Sequence, residues 1–180
     1  MNNLLCIDDQ WLSFQQVKEV LDQDQRLAIS KEVIVQIDKC RQYLNKKLES
    51  SDALLYGINT GFGFLQNVKI DKDQIEQLQY NLLKSHACGL GEEVPHEIVK
   101  LMLLLKIKSL SYGHSGVQVA TVERLMDMFN EDVLPVIYTQ GSLGASGDLS
   151  PLSHLSLPLI GLGECILKAF KCLLPKHLNN

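Results

Sequence analysis

The run Gly141-Ser142-Leu143-Gly144-Ala145-Ser146-Gly147-Asp148-Leu149-Ser150-Pro151 holds the most specific chemistry in this chain. If the Gly147 nitrogen attacks the carbonyl carbon of Ala145, a five-membered ring closes. Loss of two waters, one involving the Ser146 hydroxyl, then leaves an exocyclic methylene conjugated to an imidazolone. That reaction asks for a small first residue, a serine whose oxygen can leave, and a glycine whose nitrogen is unhindered. Glycines on both sides supply the backbone angles of such a tight turn. The product is an electrophile, which the encoded side chains do not provide and for which proteins usually recruit a cofactor. Read by itself, Ala145-Ser146-Gly147 is equally a small-residue turn ahead of a helix cap at Ser150. A hydrolase nucleophile at Ser146 is set aside on spacing. It needs Gly-x-Ser-x-Gly, and Gly144-Ala145-Ser146-Gly147 is one residue short.

A second cluster is Tyr56-Gly57-Ile58-Asn59-Thr60-Gly61-Phe62-Gly63, with three glycines in the stretch from Gly57 to Gly63. Such a loop can lie close to a ligand while holding Tyr56 and Asn59. Tyr56 could act as a general base if its surroundings lowered a pKa that starts near ~10. The plainer alternative is a glycine-rich surface turn with Tyr56 packed as an ordinary aromatic. The phosphate-binding pattern Gly-x-x-x-x-Gly-Lys-Ser/Thr is absent.

The elements that must position these clusters read as helices. Ser13 caps a first helix that buries Phe14, Val17, Val20 and Leu21. Ser30 caps a second, with Val33, Ile34, Ile37, Arg41, Leu44 and Leu48 near helical spacing and an end around Ser50-Ser51. A third runs from about Asp73, with Ile75, Leu78, Leu82 and Leu83 on one face. Pro95, as a first-turn proline, opens a fourth with Ile98, Leu101, Met102 and Leu105 inward. Gly116 precedes a fifth, carrying Val119, Val122, Leu125, Met126 and Phe129, and Pro135 ends it. Ser150 and Pro151 form the cap and first position of a sixth that runs into Leu162. Leu4 to Ile7 leaves room for one short N-terminal strand, and little else reads as sheet. The expected fold is therefore all-α. Residues 52–72 show no periodicity, and their apolar content speaks for an ordered, functional segment rather than disorder.

Composition narrows the classes. Hydrophobic residues make up 46% and charged residues 21%, a globular balance in a length that suits one domain. The net charge of −4 comes without a basic run, so no nucleic-acid partner and no anionic membrane surface are expected. Apolar runs such as Leu101 to Leu105 are broken by Lys100, Lys106 and Lys108, short of a membrane span. The start lacks a cationic region followed by a long apolar stretch, so no secretory signal is expected. Cys6, Cys40, Cys88, Cys165 and Cys172 are odd in number, scattered, and form no Cys-x-x-Cys pair. Reduced thiols in a cytoplasmic protein are the expectation, with neither a disulfide framework nor a metal site.

Three motifs in fixed order then point one way. Tyr56 to Gly63, Leu82-Leu83-Lys84-Ser85-His86-Ala87-Cys88-Gly89, and Gly141 to Pro151 resemble, in order and approximate spacing, the histidine/phenylalanine ammonia-lyase family. The resemblance runs from about Leu4 to Gly163. It implies the N-terminal domain of the ammonia-lyase (fumarase/aspartase-like) helical fold over residues 1–163. It also implies that Ala145, Ser146 and Gly147 become methylidene-imidazolone autocatalytically, with no metal or diffusible cofactor. Tyr56 matches the family's tyrosine, usually assigned as the base that removes a β-proton. His86 falls at the substrate-selecting position, with Ser85, Gly63 and Asn59 as accompanying substrate-binding candidates. Taken alone, His86 would be a helix histidine satisfying a neighbour. Ser85-His86 resembles members that act on histidine, whereas those acting on tyrosine tend to show His-Leu and those acting on phenylalanine Phe-Leu. A polar pair suits an imidazole, which both donates and accepts hydrogen bonds.

The implied reaction converts L-histidine to trans-urocanate and ammonia. A tyrosine or phenylalanine ammonia-lyase, an aminomutase, and a non-enzymatic remnant stand as alternatives. The nearby helix start at Ser150 is a candidate source of backbone donors for the imidazolone oxygen, and Asp148 is a candidate for ordering the loop. His96, His114, His154 and His177 read as structural or solvent-facing. Residues 164–180 depart from the family's pattern as a divergent tail, and a truncated or frame-shifted chain is the expectation. The resemblance further implies a longer homotetramer whose active sites combine three subunits, and helices two to five here should expose apolar faces for want of partners.

Overall fold

The computed structural model describes residues 4–167 and 170–173. Residues 174–180, His177 among them, lie outside the described residues. In chain order the elements are β1 (Leu4–Ile7), α1 (Phe14–Asp22), β2 (Arg26–Ile29), α2 (Lys31–Ser50), α3 (Ile75–His86) and β3 (Leu90–Glu93). They continue with α4 (His96–Ser111), α5 (Val119–Asn130), β4 (Val133–Pro135), β5 (Tyr138–Gln140), α6 (Leu149–Ser156), β6 (Glu164–Leu167) and β7 (Phe170–Leu173).

The first two helices start where their serines predict. The Gln16 N–H donates to Ser13 Oγ while Gln16 Oε1 accepts from the Ser13 N–H, a reciprocal capping box. The Val33 N–H donates to Ser30 Oγ at 3.2 Å, and α2 ends at Ser50 as expected. Helix α1 is also the crossover that lets β1 and β2 lie parallel, with Leu4 opposite Arg26 and Ile7 opposite Ile29. Its inward face is Val17, Val20 and Leu21, but Phe14 is 93% exposed, because the first residue of the helix projects beyond the core edge.

Helix α4 forms the centre of the core. Leu103, Leu104 and Ile107 have no exposed surface and pack with Val33 and Ile37 of α2, Val122, Leu125 and Phe129 of α5, and Ile7 and Leu27 of the strand pair. The expected inward face of this helix is corrected. Ile98 and Leu105 are exposed, and Val99, Leu103, Leu104, Ile107 and Leu110 point inward. A helix apolar on nearly every side does not fix its own phase, and a shift of one residue turns the face by ~100°. Lys108 is also buried there, because its ammonium donates to the Asp8 carbonyl at 2.7 Å and lies 5.0 Å over the Tyr112 ring.

The chain is mainly helical, with small sheets in place of the single strand expected. The strands span three or four residues each, too short for alternation to register, and β3 carries a glycine while β4 carries a proline. β3 pairs antiparallel with β5, and β4, β6 and β7 form an antiparallel sheet in that order. Three helix boundaries are corrected as well. Pro95 stands just before α4 as its cap residue rather than inside its first turn. Pro135 does not end α5: the helix stops at Asn130, Asp132 turns left-handed at φ 55°, and Pro135 lies on β4 at a sheet edge, where a missing N–H is tolerated. Helix α6 begins at Leu149 after left-handed Asp148, so Ser150 is inside the helix and is not its cap. It ends at Ser156, where Pro158 lies ahead and the chain tightens into a 3-10 turn over Leu157–Ile160, short of Leu162.

Among the described residues no helix is long and apolar enough to cross a membrane, and no cluster of His, Cys, Asp and Glu could hold a metal ion. All five cysteines are free thiols.

Candidate active site

The tripeptide sits on a one-turn 3-10 helix, Gly144–Ser146, between β5 and α6. The Ser146 N–H and the Ser146 hydroxyl both donate to the Leu143 carbonyl, at 2.8 and 2.7 Å. The Gly147 N–H donates to the Gly144 carbonyl at 3.1 Å. Gly147 is left-handed at φ 86°, and a Cβ built on Gly144 or Gly147 would meet nothing within 4 Å. Small residues, open space and a left-handed glycine fit the compact ring that the sequence suggests. Ring closure would break the bond from Gly147 to Gly144, since the attacking nitrogen gives up that proton. Ser142 Oγ donates to the Asp148 carboxylate across the base of the turn, which ties its two ends together. The whole stretch 141–149 is exposed.

The tyrosine loop is held by polar pins instead of a core. Asn59 is 5% exposed, its amide donates to the Ala53 carbonyl at 3.0 Å, and its oxygen accepts the Leu55 N–H at 2.7 Å. Both ends of that side chain are therefore spent on the loop's own backbone. Thr60 is fully buried and accepts the Gly57 N–H at 3.2 Å. From α3, Gln79 donates to the Gly57 carbonyl at 3.1 Å and so fastens the loop to the helix that ends in His86. Tyr56 is left 61% exposed, its ring edge-on to Phe62 at 5.3 Å. Gly63 is left-handed at φ 56° with open space around its Cα, and Phe64 beside it is fully exposed.

Phe62 continues the aromatic chain to His86, ring centroids 5.9 Å apart. His86 closes α3, and its Nδ1 lies 2.8 Å from the Leu82 carbonyl. A carbonyl only accepts, so Nδ1 is the donor in this contact, and in the neutral ring that assigns the lone pair to Nε2. Ser85 Oγ donates to the same carbonyl at 3.1 Å. Phe62, Leu82, His86, Lys106, Leu149 and Ser153 are among the walls of an open cleft between α3, α4 and α6. Tyr56 and His86 are thus brought to one neighbourhood through Phe62. The tripeptide meets that neighbourhood through Leu149, two residues past Gly147. Among the described residues no hydrogen bond or ring contact joins Tyr56 or His86 directly to Ala145, Ser146 or Gly147. Ser85 is exposed beside His86 and faces the same turn.

Three functional contacts are not signalled by the sequence reading. Phe62 bridges Tyr56 and His86, Gln79 fastens the loop, and His154 accepts the Gly89 N–H through Nε2 at 2.9 Å. Each depends on a contact between segments far apart in the chain, and only the motif Gly61-Phe62-Gly63, an aromatic between two glycines, hints at one of them. Burial pushes the His154 imidazole below its ordinary pKa, since a charged ring there would lose its hydration. His96 and His114 are exposed, as read.

The Ala145-Ser146-Gly147 turn and the tyrosine loop are thus carried on a mainly helical frame. The chain belongs to the aromatic amino acid lyase family, whose model matches residues 12–176. It is 48% identical to the histidine ammonia-lyase of Deinococcus radiodurans over 156 residues, covering 87% of this chain and 30% of that protein. Among solved structures, histidine ammonia-lyase from Trypanosoma cruzi is 33% identical with a TM-score of 0.80, over 92% of this chain and 32% of that one. The ergothioneine-degrading enzyme of Treponema denticola is 28% identical with a TM-score of 0.90, over 94% of this chain and 34% of that one. The chain spans about a third of the length of the curated relatives it matches.

Proposed function

We propose that this chain is the electrophile-bearing N-terminal part of a histidine ammonia-lyase, which converts L-histidine to trans-urocanate and ammonia. The observation that carries the reading is His86. Its protonated Nδ1 is occupied by the Leu82 carbonyl, which leaves Nε2 as an acceptor at the wall of the cleft that also holds Leu149. An imidazole substrate offers the matching N–H donor. The identity to proteins called histidine ammonia-lyase supports the same choice. Ala145, Ser146 and Gly147 would form the methylidene-imidazolone, which supplies the electrophilic carbon that makes the amine a better leaving group. Tyr56, exposed at the cleft approach, takes the β-proton. Asn59 acts by holding the backbone that carries Tyr56, because its side chain is spent on Ala53 and Leu55. Gly63 and Ser85 contribute shape and polarity at the cleft edge. The working enzyme on this reading is a cytoplasmic homotetramer.

Incubation with L-histidine, L-tyrosine and L-phenylalanine in parallel, followed by absorbance of the unsaturated acid products, tests the substrate. Urocanate alone is expected, and Ser146→Ala should abolish it. Coumarate or cinnamate in its place would favour the tyrosine or phenylalanine reading; flat traces with all three would point to truncation where the chain has lost two waters, about 36 Da, and to a non-enzymatic remnant where it has not.

A further inference from the structure

His154 has no role in the chemistry just proposed, yet it joins the two segments that carry it. It lies on α6, in the helix that follows the tripeptide, and its Nε2 accepts the N–H of Gly89, three residues past His86. Accepting at Nε2 requires a neutral ring with its proton on Nδ1. The ring also stacks edge-on against Tyr138 of β5 at 5.3 Å. The junction has no slack. A Cβ at Gly89 would come within 2.9 Å of His154 Nε2 and 3.2 Å of Tyr138 Cβ. A Cβ at Gly141 would come within 3.0 Å of both Gly89 Cα and Ser150 Oγ. Ser150 Oγ is itself buried here without a hydrogen-bond partner among the described residues.

We propose that His154 is a positioning residue of this site: by accepting the Gly89 N–H it fixes the turn that carries His86 to the helix that follows Ala145-Ser146-Gly147. This rests on reading His86 and the tripeptide as parts of one site. The bond joins residues 65 apart in sequence and ties the His86 turn to α6. A proton on Nε2 would turn the acceptor into a second donor facing Gly89 and release the turn. Tyr138 faces the imidazole from β5, and its hydroxyl lies 3.5 Å from the Glu164 carboxylate of β6. His86 of α3 and Lys106 of α4 stand at the cleft that Ser153 of α6 also lines. β4 and the 3-10 turn over Leu157–Ile160 contribute no ionisable side chain.

Amide hydrogen exchange, read residue by residue by NMR on the 180-residue chain at neutral pH, tests this with two variants. His154→Phe keeps the stack on Tyr138 and loses the acceptor, while His154→Gln offers an amide oxygen in its place. The Phe variant should speed exchange at His86 and Gly89 by about tenfold or more, with Leu125 in α5 changed less than about twofold. The Gln variant should restore most of that protection. Unchanged exchange at Gly89 and His86 in the Phe variant would overturn the proposal, as would equal acceleration in α5 or a Gln variant no better than Phe. Should the Phe variant fail to fold, the native chain still decides. Its Gly89 amide resonance should titrate with a midpoint below the ordinary histidine value of ~6.5, and a Gly89 resonance that does not move with pH would contradict the assignment. Neither readout needs ring closure or turnover, so failure here leaves the lyase reading standing, and failure of that reading leaves this contact testable.

Discussion

The two halves of this molecule are stabilised by different forces. Around α4, Leu103, Leu104 and Ile107 are fully buried against two helices and a strand pair, and the apolar contacts are redundant. Around the site, residues 52–72 and 141–149 bury almost no large apolar side chain, and Tyr56, Phe64, Leu143 and Leu149 are exposed. There the shape depends on single polar contacts: Asn59 to Ala53 and Leu55, Gln79 to Gly57, His154 to Gly89. α3 makes the difference plain, since it carries His86 and yet buries none of its residues. A core built on area tolerates the loss of one contact better than a loop built on pins, but each loss in the core costs more in global stability.

Substitutions should separate the halves by size and by reach. Leu104→Ala should cost about 2–5 kcal/mol, because it leaves a cavity in the most enclosed part of the chain, and denaturant unfolding should show the loss in every probe. Asn59→Ala removes two part-buried hydrogen bonds, to the Leu55 N–H and the Ala53 carbonyl, each worth about 0.5–1.5 kcal/mol, and should cost about 1–3 kcal/mol. Its accelerated amide exchange should be confined to residues 53–60, and a loss spread evenly over α4 and α5 would erase the contrast. The third effect is one of pH. His154 has a lowered pKa in the folded chain, so the unfolded state binds its proton first as pH falls. Its contribution is full above the unfolded value near ~6.5 and is lost as pH falls from there through the folded value. The slope of stability against pH in that window should flatten in His154→Phe. Smallest of all, Phe14→Ala and Phe64→Ala should move stability by less than about 0.5 kcal/mol, since both rings are exposed.

The same contrast explains what could be read from the sequence. Ser13 and Ser30 announce α1 and α2 because a cap is a local interaction, complete within four residues. The phase of α2 and α5 is legible because each has one apolar face. That of α4 is not, because apolar residues surround it. Strands β3 and β5 escape notice because their pairing partners lie far apart, as Leu90 and Gln140 do, and no single segment carries the signal. At the site, the tripeptide and Tyr56 stand out by residue type and spacing. His154 does not, since nothing near it in sequence says that Gly89 will arrive 2.9 Å away.

The most direct measurement is the intact mass of the purified chain beside that of Ser146→Ala. Closure of Ala145-Ser146-Gly147 removes two waters, so the native chain should weigh about 36 Da less than its sequence requires, while the alanine variant, lacking the hydroxyl that leaves, should not show that full loss. A native chain at its full unmodified mass would contradict electrophile formation in this protein.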